Sequence, residues 1–243
     1  MKKDIDSRLN YLAIKCFRNI ADQDYIHARL AHKHRLSTQF LWSSLHCLEK
    51  YAKSILLQNK INGRKIGHEV TPALYRFETY TEYSMNLSED VTGFIKRLEE
   101  RARFRYLETG NIFLDTDILL LDKSVHQVRR YCQQFSFEKH ERNKQISELA
   151  LLLNYENKIK DITRINLDHG LLEEIIEDKK HPSRQPLIYQ NAFFSARRRK
   201  TISIKKGFNA FNSPFQSDPK LVELANQYIH IPKEIFLAYE EDL

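Results

Sequence analysis

Thr38–Asn59, TQFLWSSLHCLEKYAKSILLQN, decides the fold class. No Gly or Pro interrupts it. At about 100° per residue, Phe40, Leu41, Leu45, Cys47, Leu48, Tyr51, Ala52, Ile55 and Leu56 fall on one wide face. His46, Glu49, Lys50 and Lys53 make the opposite wedge. A helix apolar over so broad an arc needs neighbours on more than one side. The spacing therefore predicts the central helix of a bundle, with Thr38 as its N-cap.

Outward from this stretch the chain stays helical. IDSRLNYLAIKCFRNI (5–20) predicts a short helix with Leu9, Leu12, Ala13, Cys16 and Ile20 inward. Asp22 is placed to cap the next helix, DQDYIHARLAHKHRL, with Tyr25, Ala28 and Leu36 toward the core. Beyond the central helix, the polar connection NKINGRKIGHEVTP leads to a short helix opened by Pro72. Asn86–Tyr106 carries an apolar stripe of Leu87, Val91, Phe94, Ile95 and Leu98. Asp115–Phe135 follows, with Leu121, Val125, Val128, Cys132 and Phe135 at a 4-3-4-3 spacing, a bundle seam. Arg142–Asn154 and Ile159–Asp178 are expected as helices, Thr201–Ile204 as a short strand, and Asp218–Tyr228 as a last short helix. No sustained strand alternation and no internal repeat is present. The expected fold is all-α: an up-and-down helical bundle over residues 5–178, with a basic, partly irregular C-terminal extension over 181–243 that is not clearly an independent domain.

Composition agrees. The 243 residues are 42% hydrophobic and 29% charged, as in a globular chain, and 6 Gly with 6 Pro suit long helices and few tight turns. No stretch approaches the roughly 20 apolar residues of a membrane span, and MKKDIDSRLN lacks the apolar core of a signal peptide. No membrane partner is expected. Cys16, Cys47 and Cys132 are odd in number, far apart and set among apolar residues, so they read as reduced core cysteines of a cytoplasmic protein. No zinc-type Cys or His spacing, Gly-rich phosphate loop or nucleophile constellation occurs, and neither a metal nor another cofactor is expected.

The net charge of +7 is localised. Between His181 and Ser217 lie Arg184, Arg197, Arg198, Arg199, Lys200, Lys205 and Lys206, with no Asp or Glu, so this segment carries the whole excess. Interleaved with them are Tyr189, Phe193, Phe194, Phe208, Phe211 and Phe215. Cations pair phosphates and aromatic rings stack unpaired bases, which points to RNA. The competing reading is that the rings dock the extension onto the bundle and the charges solvate it.

Leu48-Glu49-Lys50-Tyr51-Ala52-Lys53-Ser54-Ile55-Leu56-Leu57 resembles the second long helix of HEPN domains, small all-helical bundles. Asp24-Tyr25-Ile26-His27-Ala28-Arg29 is similar to the helix before it, and Gly67-His68-Glu69-Val70 to the polar loop that follows. The resemblance covers about Asp22 to Phe135. It implies a bundle that dimerises and interacts with RNA, a nucleotide or a protein partner. Its catalytic branch implies metal-independent RNases of toxin-antitoxin or defence systems, in which an Arg precedes a His by about four to six residues late in the bundle, as cation and acid or base.

Here Arg129 and Arg130 are followed only by His140, a longer spacing than the family's. Arg29–His34 and Arg164–His169 do fit it, although about two such pairs are expected by chance. Arg164–His169 lies after the long helices; Arg29–His34 sits too early. Asp122, His126, Arg129, Arg130 and Gln133 share the face opposite the apolar seam, either a solvated face or a polar groove joined by Arg105. Within it His126 and Arg130 form an i,i+4 pair. Glu49–Lys53 reads as a surface ion pair, His68 as a loop hydrogen-bonder and Trp42 as a packing residue. The catalytic candidates are thus Arg130, His126, Arg164 and His169. The nucleic-acid-binding candidates are Arg105, Arg129, Arg197, Arg198, Arg199 and Lys200. Two functions are expected: a nucleic-acid- or nucleotide-interacting protein, with an endoribonuclease as its catalytic form, or a non-catalytic dimerising module that partners another protein.

Overall fold

The computed structural model describes residues 2–81, 84–101, 110–133, 167, 170–195, 202–204 and 206–239. The expected helix Arg142–Asn154 lies outside them. Helix α1 (Lys2–Leu12) runs through a π-helical turn, Ala13–Arg18, into α2 (Asn19–Lys33). The two helices expected here are one continuous rod, so Asp22 is not a cap. The wider π turn also shifts the helix phase. Ala13 and Arg18 turn inward, while Leu12 and Cys16, both expected inside, are exposed.

Helix α2 ends in a Schellman motif. Leu36 N–H donates to Ala31 O and Arg35 N–H to His32 O, with Arg35 in the left-handed conformation at φ 58°. The chain then enters α3 (Ser37–Gln58). Leu36 holds the N-cap position without a side-chain bond, and Thr38 lies inside the helix. From Phe40 to Asn59 no residue of the central helix is exposed. It is covered by α2, α4 (Val70–Thr81), α5 (Glu89–Arg101) and α6 (Asp117–Arg129). Leu48, Ile55, Leu121, Val125, Val128 and Cys132 are all fully buried in one core, as the two seams require. Val91, Phe94, Ile95 and Leu98 join it from α5.

A two-stranded ribbon departs from expectation. Strand β1 (Asn111–Leu114) pairs antiparallel with β2 (Phe208–Phe211), Asn111 opposite Phe211 and Leu114 opposite Phe208. Residues 202–204 are not a strand. Four-residue strands are too short to show alternation, and pairing between distant segments decides them. With only this ribbon among the described residues, the fold is all-α.

The expected division near residues 178–181 does not interrupt the core. Helix α7 (Leu171–Glu177), within the expected Ile159–Asp178 helix, contributes Leu172, Ile175 and Ile176. Helix α8 (Arg184–Ile188) and its exit add Leu187 and Phe194 to the same core. Farther on, α9 (Pro214–Ser217), α10 (Leu221–Asn226) and α11 (Lys233–Tyr239) build a small second cluster around Val222, Ile231, Ile235 and Tyr239. Helix α10 is shorter than the expected Asp218–Tyr228, and α11 falls in the stretch expected as a tail. None of the described helices is long and apolar enough to cross a membrane.

Candidate functional site

Helices α2 and α6 are joined by two buried ion pairs. Arg129 Nε and Nη2 donate to the Asp22 carboxylate at 2.7 and 2.9 Å, and Nη1 and Nη2 donate to Glu173 on α7, both at 2.7 Å. Arg29 Nη1 donates to both carboxylate oxygens of Asp122. Tyrosines complete the acceptors: Tyr51 Oη donates to Asp22 and Tyr25 Oη to Asp122, each at 2.6 Å. Asn191 Nδ2 donates to Tyr25 Oη at 2.8 Å. Arg29 also reaches α8 and its C-cap, with Nε on Pro186 O at 3.0 Å and Nη2 on Tyr189 O.

Burial opposes every charge in this layer, and the partners decide the outcome. Desolvation alone would lower the Arg129 pKa; Asp22 and Glu173 outweigh it and hold it well above the ordinary value. Desolvation would raise Glu173, but Arg129 holds it below the carboxylate range. Burial pushes the Tyr25 and Tyr51 phenols well up, reinforced by Asp122 and Asp22. Asp122 is raised by its burial, against the pull of Arg29 and Tyr25.

This layer corrects the reading of α6's polar face. Asp122 and Arg129 are neither solvated nor lining a groove, and the Arg129 guanidinium is 3% exposed, with its donors turned to two carboxylates. It is not presented to a phosphate. Arg29 likewise pairs with Asp122, not with His34, which ends α2 exposed. A polar wedge looks the same in sequence whether water or another helix covers it. One signal was there to be seen: Asp22 and Arg29, and Asp122 and Arg129, share a spacing of about two helical turns.

His126 and Arg130 do meet. Arg130 Nη2 lies 2.8 Å from His126 Nδ1. A guanidinium only donates, so Nδ1 accepts and the ring proton sits on Nε2. Arg130 is 5% exposed, and the imidazole packs 4.8 Å from the Phe193 ring. Arg105, Arg164, His169, Arg197, Arg198, Arg199 and Lys200 lie outside the described residues. On α3, Glu49 pairs with Lys53, but not as the surface pair expected: Glu49 is buried and also meets His68 at 2.9 Å, while Lys50 pairs with Asp24. Trp42 packs against His46 at 3.9 Å. Cys47 and Cys132 are core thiols; Cys16 is not.

A cavity of about 530 Å³ opens at the C-terminal end of α2. Leu30, Ile118, Pro186 and Ile204 give it apolar walls, and His32, Lys33, Arg35, Asp115 and Tyr189 its polar ones. His32 Nε2 is bound to Asp115 O at 3.0 Å, and burial lowers the imidazole pKa, favouring the neutral ring. Arg35 Nη1 is 3.5 Å from Asp115 Oδ1, and Lys33 Nζ stands 5.6 Å from the Tyr189 ring centroid. Asp115 N–H donates to Gly207 O, and a Cβ on Gly207 would come within 2.6 Å of Asp115 Oδ2. A side chain at position 207 would require the Asp115 carboxylate to shift. Sequence reasoning missed this site because its residues come from separate segments with no shared spacing.

Comparison with protein-family models, with curated proteins and with solved structures finds no match.

Proposed function

We propose that this chain is a HEPN-like helical scaffold that binds single-stranded RNA through the basic segment between α8 and β2. The observation that carries the reading is the anchoring of that segment's flanks. On one side Phe194 is buried in the main core and its N–H donates to Asn191 Oδ1 at 2.9 Å. On the other, β2 is paired with β1. Between them the sequence places Arg197, Arg198, Arg199 and Lys200 without a neighbouring acid. Anchored flanks reduce the entropy lost on binding, and the cations supply the phosphate term.

Arg29 and Arg129 take part in neither binding nor cleavage, because both are committed to buried carboxylates. Polarisation assays with single-stranded and duplex RNA at two salt concentrations test the proposal. Wild-type affinity for the single strand falls steeply with salt. The variant Arg197→Ala, Arg198→Ala, Arg199→Ala, Lys200→Ala binds more weakly and with a flatter slope. Equal binding by both proteins at both salts refutes it. Chelator-resistant RNA cleavage that disappears in His126→Ala, with the fold intact, replaces the binding reading by the ribonuclease one.

A further inference from the structure

We propose that the free edge of β2 docks an extended apolar segment of a partner protein, with acidic residues at its end, as a third strand of the ribbon. The register fixes which backbone groups are open. Asp115 N–H donates to Gly207 O at 3.0 Å, so the odd-numbered pairs, Asn111 with Phe211 and Phe113 with Asn209, exchange the ribbon's hydrogen bonds. The even-numbered residues turn their N–H and C=O away from the neighbouring strand. On β1 that edge is partly closed, because Leu114 N–H donates to Asp117 Oδ2 at 3.0 Å. On β2, among the described residues, no backbone partner meets the outward N–H and C=O of Phe208 and Ala210. A row of alternating donors and acceptors along a strand is matched by another extended backbone.

The side chains agree with the backbone. Phe113 is buried and Phe211 packs against the main core, so the odd face of the ribbon is covered. The even face is Ile112, Leu114, Phe208 and Ala210, all apolar, with Phe208 70% and Ile112 47% exposed. Proteins ordinarily blunt an exposed edge with a charge, a proline or a bulge, and Phe208–Phe211, FNAF in regular register, has none of these. Apolar side chains of an incoming strand would pair across with Phe208 and Ala210. Charge selects the partner. Lys206, immediately before β2, is exposed, and Arg35 reaches the same end of the ribbon at Asp115. Among the described residues, two cations stand there against one carboxylate, which favours an acid at that end of the third strand. A second copy of this chain brings a further +7, and its own FNAF strand carries no acid, so an acidic segment of another protein fits better.

Fluorescence polarisation on the full chain tests it with a labelled peptide of alternating valine and threonine bearing two glutamates at each end. The comparison peptides carry lysines in place of the glutamates, or a methyl group on every backbone nitrogen. The variant Ala210→Pro deletes an outward N–H and leaves the ribbon's own hydrogen bonds, since proline is tolerated where an edge strand turns its N–H to solvent. The glutamate peptide binds at one equivalent. The lysine peptide, the methylated peptide and the Ala210→Pro protein each lower the affinity by about tenfold or more. Amide hydrogen exchange gives the second readout: the Phe208 and Ala210 amides of the wild type exchange fast when free and slow when saturated with peptide. If the proline opens the ribbon, seen as lost protection at Asn209 and Phe211, this wild-type exchange decides alone. The proposal is overturned if the glutamate peptide does not bind up to millimolar concentration, if the methylated peptide binds as tightly, or if exchange at Phe208 and Ala210 is unchanged at saturation. It is overturned too if sedimentation finds a wild-type dimer that Ala210→Pro dissociates, because a second copy then occupies the edge.

Discussion

Arg129 lies across both carboxylate oxygens of Asp22, a residue 107 positions earlier in the chain, at 2.7 and 2.9 Å. The relationship is reciprocal: Arg29, two turns after Asp22, pairs with Asp122, two turns before Arg129. The pairs match only if α2 and α6 run antiparallel in one register. A slip by one turn would leave four buried charges facing apolar neighbours, so the layer selects the arrangement more than it adds stability.

Removing one partner is therefore costly. Arg129→Met leaves Asp22 and Glu173 buried and uncompensated, and is expected to destabilise by about 3–5 kcal/mol in urea unfolding. Adding Asp22→Asn and Glu173→Gln recovers much of that loss. A cost under about 1 kcal/mol for Arg129→Met would contradict the burial of the pair.

Glu173 gives the fold an acid-sensitive limb. Its folded pKa lies below the ordinary 4.5, because Arg129 outweighs the effect of burial. Its contribution is complete above that ordinary value and is lost as pH falls through the lowered folded one. In denaturant midpoints measured from pH 7 down to 3, Glu173→Gln starts lower and declines less steeply. Parallel curves would show that Glu173 titrates alike in both states.

The thiols separate by place. Cys47 and Cys132 are fully buried, and burial pushes Cys132 to about 12, so both resist alkylation in the native protein. Cys16, displaced outward by the π turn, reacts. A thiol reagent titrates one cysteine natively and three after denaturation. Three fast-reacting thiols in the native state would contradict the packing of α3 against α6.

The central seam is fully buried and contributes stability through packing. Leu48→Ala and Leu121→Ala each remove a fully buried side chain and should cost about 2–5 kcal/mol, read from chemical denaturation. A loss under about 1 kcal/mol at both sites would mean that the core collapses around them.

The sequence by itself determined the helices whose apolar arcs are long. Phe40 through Leu56 and the Leu121–Cys132 spacing specify faces that can be buried only against other helices, whatever those helices are. It also located the cationic excess, because charge is additive along the chain. Tertiary structure alone decided which polar residues face inward. Asp22, Arg29, Asp122 and Arg129 sit on polar wedges that α2 and α6 turn toward each other, and periodicity does not distinguish a helix from water as their neighbour. The phase of Cys16 depended on a π turn, a difference of one residue in hydrogen-bond register. The ribbon and the cavity with Lys33, Arg35, Asp115 and Tyr189 exist because distant segments meet, and no local propensity encodes such a meeting.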